Sequence, residues 1–520
     1  MLPDMPCKLQ IVDLAKGKGK CDIIIMFFLI PGLQIFASWD GGATAGCLDT
    51  IHGTRSFTDW GEAQMGLFAS MSSVGLACSL VWSALLQKVD MKNGLLLAVG
   101  LNAVGNFLVG YMVNMWTLYC CKFVLGATQG IVQIWTNCWI SSFCPQKHKT
   151  VCLTLASTVS TGLGSLLGFS IAGYGTSIGV PYSVFWYVSA GVMWFLWCVI
   201  MCVPNSEIEV EIAGDALAGA FSVDCTPTSS NGKLDPMQGV KQPDSVREEP
   251  LSNHGGRGLP VLCNGLFLSS AIGIATILYV ISAIHFIWVG HFTVAWGVSK
   301  RNSVSLFNLV AVIGTAVGLP IAKTVDQFGG CKTPESTSKT MELMLAFMLA
   351  SVCGASIAVC AIHSQLESLN RFGADEALSN GPQTHGTNQN LSFCLLGLLI
   401  SFVFCLATQS GLLNVNVSAL PLSSVRLGQG FTLSLQNLVG FAMGPFLPRV
   451  LMQNLEVYHF AKADTYCYSM AFVLLSLLVP LSFIFWGWCR PGQFCEDEKE
   501  GYLALGDGPE FGKCVQHPSQ

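Results

Sequence analysis

The sequence predicts an all-α membrane protein: twelve transmembrane helices arranged as two six-helix halves. Three observations predict it. Charged residues make up only 11% of the chain and apolar types 52%, with a mean hydropathy of +0.54, whereas soluble domains carry about 25% charged residues. The apolar residues gather into runs of the length a bilayer requires, about 20 residues each. Those runs fall as six, a polar gap, and six more.

The first 21 residues are too polar for a cleaved signal peptide and carry Lys8, Lys16, Lys18 and Lys20, which reads as a cytosolic leader. Six apolar segments follow within an N-terminal half, 22–203: spans 1 to 6 near 22–48, 62–86, 94–113, 115–138, 150–174 and 182–203. Residues 204–259 are rich in Ser, Pro, Gly, Asp and Glu, bury no core, and form an expected disordered cytosolic linker. The C-terminal half, 260–488, holds spans 7 to 12 near 260–292, 303–323, 342–362, 391–416, 427–447 and 467–488, and residues 489–520 form a cytosolic tail. With the N-terminus inside, nineteen of the 26 Lys and Arg residues fall in inside segments and six in outside loops, Arg449 among the latter. That bias places both termini in the cytosol.

Several function classes are excluded. A net charge of −5 with no basic block leaves nothing for nucleic acid. The 22 cysteines lie mostly singly within apolar runs, without CxxC pairs or Cys/His spacing, so neither a disulfide framework, a metal nor another cofactor is expected. No nucleophilic triad and no P-loop appears, so the chain is neither an enzyme nor an ATP-driven pump. The partners left are the lipid bilayer and a small-molecule or lipid substrate.

The polar residues inside the spans are the candidate site. Asp40 follows Trp39 within span 1, where a carboxylate costs a few kcal/mol or more unless it meets a partner, a bundle interior or water. The alternative ends the helix near Trp39 and leaves Asp40 among headgroups. Lys122 is the one Lys or Arg inside a predicted span, so it either meets Asp40, a substrate anion or backbone carbonyls, or snorkels outward. His285, near Trp288 in span 7, either contacts a ligand headgroup or is a satisfied core histidine. His291 is expected at the interface. Asn390 heads a glycosylation sequon too close to span 10 for easy modification, and Tyr502-Leu503-Ala504-Leu505 resembles an endosomal or lysosomal sorting signal.

The halves also repeat each other. Span 2 ends at Gln87-Lys88-Val89-Asp90 and span 8 at Lys323-Thr324-Val325-Asp326. Span 5 carries Gly164 and Gly168, and span 11 Gly440 and Gly444, spacing expected to let helices slide across the interface between halves.

This arrangement, with Ala322 to Lys332 similar to a loop motif of the major facilitator superfamily and Lys122 to Gly130 similar to its span 4 motif, resembles that superfamily and its twelve-helix fold. Asp40, Ala45, Gly46, Leu48 and Ile51, then Gly66-Leu67, Gly162-Leu163-Gly164 and Gly168, resemble the spinster branch. The resemblance implies a secondary transporter of an amphipathic lipid, of lysophospholipid or sphingoid type, in the plasma membrane or an endosomal or lysosomal membrane. A small organic anion or sugar, with Lys122 as charge partner, is the alternative substrate. A non-transporting receptor or scaffold is the alternative class. On this reading Asp40, Lys122, Gln129 and His285, with Trp39 and Trp288, line or flank the substrate site. By the same resemblance Asp90 and Asp326 latch the cytosolic side against spans 11 and 5, with Arg426 as ionic neighbour. The departures fall at charged positions: Gly41 stands where the branch has arginine, Gln129 where it has glutamate, Ala37 where it has asparagine. A glutamine does not change charge, so proton coupling in the N-terminal half would rest on Asp40.

Overall fold

Long apolar segments in lipid must satisfy their backbone groups internally, and they do so here as helices. The computed structural model describes residues 25–52, 60–78, 81, 90–111, 114–143, 160–208, 264–322, 334–372, 385–420 and 425–489; no strand occurs among them. Span 1 runs through a π-turn at Ile25–Leu29 into Ile30–His52. Spans 2 to 6 are Glu62–Ala77, Met91–Tyr111, Met115–Phe143, Ser160–Ser177 and Ser183–Cys202. In the second half, span 7 is Gly265–Gly290 with a π-turn at His291–Ala295, and span 8 is Lys300–Ala322. Spans 9 and 10, Pro334–Phe372 and His385–Ser418, are far longer than their apolar cores. Span 11 is assembled from Val425–Leu435, a π-helix Gln436–Ala442 and Met443–Val457. Span 12 breaks between Lys462–Leu475 and Leu478–Trp488, where Pro480 withholds the N–H that Ser476 O would accept.

The packing repeats with the sequence. Span 1 lies on span 5 as span 7 lies on span 11; spans 2 and 4 pair as do 8 and 10, and spans 3 and 6 as do 9 and 12. Between halves, span 1 meets span 7, span 2 meets span 11, and span 5 meets span 8. Among the described residues six helices are by length and composition apolar enough to cross a membrane: spans 3, 6, 7, 9, 10 and 12. The other spans turn polar residues inward, among them Gln34, Asp40, Lys122 and Arg449, all buried.

Two expectations change. The linker begins later than residue 204: Asn205–Ile208 form a short helix, its Glu207 and Ile208 carbonyls accept from the Trp139 and Trp135 indoles at 2.9 and 3.3 Å, and Ile208 is fully buried. Asn390, expected just ahead of span 10, lies within the span 10 helix, which begins at His385. The remaining linker, the 1–21 leader with the first three residues of the predicted span 1, Asp326 and the Tyr502 signal lie outside the described residues.

Candidate functional site

A helical turn brings Asp40 and Thr44 of span 1 onto one face, and span 4 lays Lys122 against both. Lys122 Nζ donates to Asp40 Oδ1 and to Thr44 Oγ1, each at 2.5 Å. The Trp186 indole of span 6 donates to the same Asp40 oxygen at 2.8 Å, and the Thr44 hydroxyl donates to the Asp40 carbonyl at 2.7 Å. The ammonium also lies 4.8 Å from the Phe68 ring centre and 5.2 Å from that of Trp186, within reach of cation–π attraction. The side chains of Lys122 and Asp40 are 1% and 5% exposed. Neither points at headgroups. Asp40 Oδ2 is buried without a partner.

The pair heads an antiparallel polar seam between spans 1 and 4. Seven residues along span 4, Gln129 Nε2 donates to Ser38 Oγ at 3.3 Å, and seven further, Thr136 Oγ1 accepts from Gln34 Nε2 at 2.9 Å. Trp39 is buried, stacks on Phe36 at 5.7 Å, and its indole nitrogen has no partner. His285 sits apart from this seam, in the interface between halves. Its ring lies parallel to Phe307 of span 8 at 4.9 Å and also 4.9 Å from Phe169 of span 5, with Nε2 buried and unpartnered. Trp288 faces span 8 and spends its N–H on the Ser303 carbonyl at 2.9 Å. His291 is not interfacial: the π-turn folds it inward, fully buried, where Nε2 accepts from Trp296 at 3.0 Å.

The expected sliding glycines act elsewhere. A Cβ at Gly164 would lie 2.2 Å from Ile35 O, and one at Gly168 2.4 Å from Trp39 O, so both seat span 5 on span 1 of the same half. Gly440 and Gly444 likewise seat span 11 on span 7, near Leu278 and Ser282. Backbone-to-backbone contacts this close hold each half rigid instead of letting the halves slide. Asp90 also differs from expectation: it is exposed and accepts from Asn93 at 3.1 Å on its own helix, with no bond to span 11 among the described residues. The Arg426 side chain lies outside the described residues.

A second charged cluster was hidden from the sequence. Apolar patterning ends span 11 at 447, but the helix continues to Val457 and carries Arg449 inward, fully buried. Its guanidinium donates to Glu62 Oε2 of span 2 through Nη1 and to Asp49 Oδ1 of span 1 through Nη2, the latter at 2.9 Å. Nearby, Tyr466 of span 12 reaches Asp49 Oδ1 at 3.5 Å, Lys300 of span 8 donates to Thr50 Oγ1, and Gln453 Oε1 accepts from Ala63 N at 2.9 Å. Span 2 comes close enough to span 11 that a Cβ on Gly66 would lie 2.9 Å from Pro445 O. On the other flank Ser170 donates to Asn308 at 3.0 Å and Tyr174 meets Ser305 at 2.6 Å. These contacts join the halves at the end of the bundle where spans 1, 7 and 11 finish, here termed the distal face. The sequence signal for them was only a scatter of charges at span ends, Asp49, Glu62, Lys300 and Arg449.

Comparison with known proteins agrees with this architecture. The family described as Major Facilitator Superfamily matches residues 23–369. No curated protein matches the chain. Among solved structures, a bacterial homolog of the human lysosomal transporter Spinster, inward-facing and unoccupied, is 12% identical with a TM-score of 0.64, covering 92% of this chain and 99% of its own. A D-xylose-proton symporter is similar at 12% identity and TM-score 0.62, over 88% of this chain and 97% of its own. The nucleoside transporter NupG in a mutant form is similar at 12% identity and TM-score 0.55, over 90% and 100%.

Proposed function

The chain belongs to the major facilitator superfamily, and from that premise we propose that it carries an amphipathic lipid, of lysophospholipid or sphingoid type, by alternating access. As a superfamily member it is a transporter and not an enzyme; the substrate class is the step beyond. The observation that carries the reading is the state of Lys122. Its charge is already neutralised by Asp40, two of its three protons are bonded, and aromatic rings flank it. A small anion seeking Lys122 would have to displace a buried carboxylate. Along the seam and at His285 the buried polar atoms left without a partner are Gln34 Oε1, Trp39 Nε1, Asp40 Oδ2 and His285 Nε2, a small set suited to the amine or hydroxyls of a lipid headgroup. The surroundings of His285, Phe169 and Phe307, are apolar. An open groove of about 130 Å³ between spans 8 and 10, lined by leucines such as Leu306 and Leu395, gives an acyl chain further apolar surface.

On this reading both termini are cytosolic, in the plasma membrane or an endosomal or lysosomal membrane, and the distal face is outer or lumenal. The deciding measurement is flux in proteoliposomes, with lysolipids set against sugars and small organic anions, with and without a pH gradient. Lysolipid or sphingoid movement that is lost in Asp40→Asn is expected. Movement of sugars or anions alone would overturn the substrate class, and no movement of any, with Asp40→Asn silent in cells, would overturn transport.

A further inference from the structure

Arg449 keeps its charge at any physiological pH, and here it is fully buried, so the closed distal face needs anions beside it. Both anions come from the other half: Glu62, 3% exposed in its side chain, and Asp49, 31% exposed. Separating the halves at this face therefore leaves two carboxylates on spans 1 and 2 and withdraws their counter-charge with span 11. We propose that Asp49 and Glu62 form a proton-binding site that exchanges its occupant with the conformational cycle: the Arg449 guanidinium when the distal face is closed, a proton from the distal side when it is open.

The two occupants exclude each other. A proton on either carboxylate removes a partner that a buried guanidinium cannot do without, so the protonated pair holds the face open. Acidification binds protons to the open state and draws the population towards it. The sign is fixed by the chemistry, because a carboxylate supports closure only as an anion.

The neighbours do not supply an alternative switch. On span 1 Cys47 adds a neutral thiol, on span 7 His291 is engaged by Trp296, and on span 12 Tyr466 already points at Asp49. Lys300 of span 8 adds a second cation near Asp49, and Glu456 of span 11 lies further from the cluster, acting on Tyr466. Arg449 and Lys300 together balance Asp49 and Glu62, so a single proton leaves an excess of positive charge inside the closed face.

This inference rests on the alternating-access reading, and its test needs no substrate. Hydrogen exchange of the full-length protein in nanodiscs, corrected for intrinsic rates, would be followed at about pH 7.5 and about pH 4.5 over 61–71 and 443–457, with span 3, 91–111, as reference. At the lower pH wild-type exchange in the two distal segments is expected to rise about tenfold or more while span 3 holds still. Glu62→Gln is expected to exchange at the higher pH as wild type does at the lower, with little further response. Asp49→Asn, at the more exposed carboxylate, carries the same test should Glu62→Gln fail to fold, and Glu62→Arg with Arg449→Glu should restore protection at the higher pH. A wild type equally protected at both values, or a carboxamide variant that keeps the full response, overturns the proposal. Failure of flux with the exchange response intact would instead count against transport alone.

Discussion

Asp40 and Lys122 occupy positions that neither could hold alone. A buried ion pair contributes little net stability over an apolar pair of the same shape, yet removing one member costs about 3–5 kcal/mol because the other stays charged and buried. Asp40→Asn should therefore lower the melting temperature of the purified protein clearly and abolish flux. Lys122→Met added to Asp40→Asn should recover most of the melting temperature, since the uncompensated ammonium is gone, while flux stays absent. A double variant that transports would show the pair to be scaffolding. The pair itself was legible in the sequence, because a lone acid and a lone base in apolar spans call for each other. Its neighbours were not. Trp186 and Thr44 read as ordinary span residues, and nothing in the spacing said that Asp40 would take two donors on one oxygen and none on the other.

At the scale of the helix, the glycines decide which surfaces can move. Span 5 touches span 1 so closely at Gly164 and Gly168 that any side chain there would run into carbonyl oxygens. Backbone cannot give way as a side-chain tip can. Gly168→Val should therefore cost about 3 kcal/mol or prevent folding, at or above the upper end for overpacking, whereas Gly162→Val, with open space around it, should melt as wild type does. Thermal melting monitored by size-exclusion chromatography separates the two outcomes. The existence of these close contacts followed from the small-xxx-small spacing, but their partner did not, because spacing marks an approachable face without naming what approaches it. The ends of the helices were hidden for a related reason: hydropathy ends a span at its first charges, and in spans 2 and 11 those charges, Glu62 and Arg449, are the contact itself.

The whole molecule is two six-helix halves with matched internal pairings, joined by contacts between spans 1 and 7, 2 and 11, and 5 and 8. Its twelve spans and central break could be read from apolar periodicity and composition, which report what lipid and water each require. Which faces of those spans meet could not be, since a residue buried against the other half carries the same signature as one buried in its own. The distal contacts make a prediction at this scale. The Gln453 side chain reaches the first turn of span 2 at Ala63, so the two helix ends face each other across the halves with a glutamine side chain between them. Ala63→Cys with Gln453→Cys should be bridged by a short bis-methanethiosulfonate reagent that takes the place of that side chain and pins the distal face shut. Flux should fall to background on cross-linking and return on reduction, while each single variant, which keeps the native cysteines, stays insensitive to the same treatment. Binding of substrate from the face bearing the termini should survive the cross-link, because only the distal opening is blocked. Flux that persists through a complete cross-link would mean that substrate crosses without the halves parting there, and rigid-body alternation would have to give way to movement within one half.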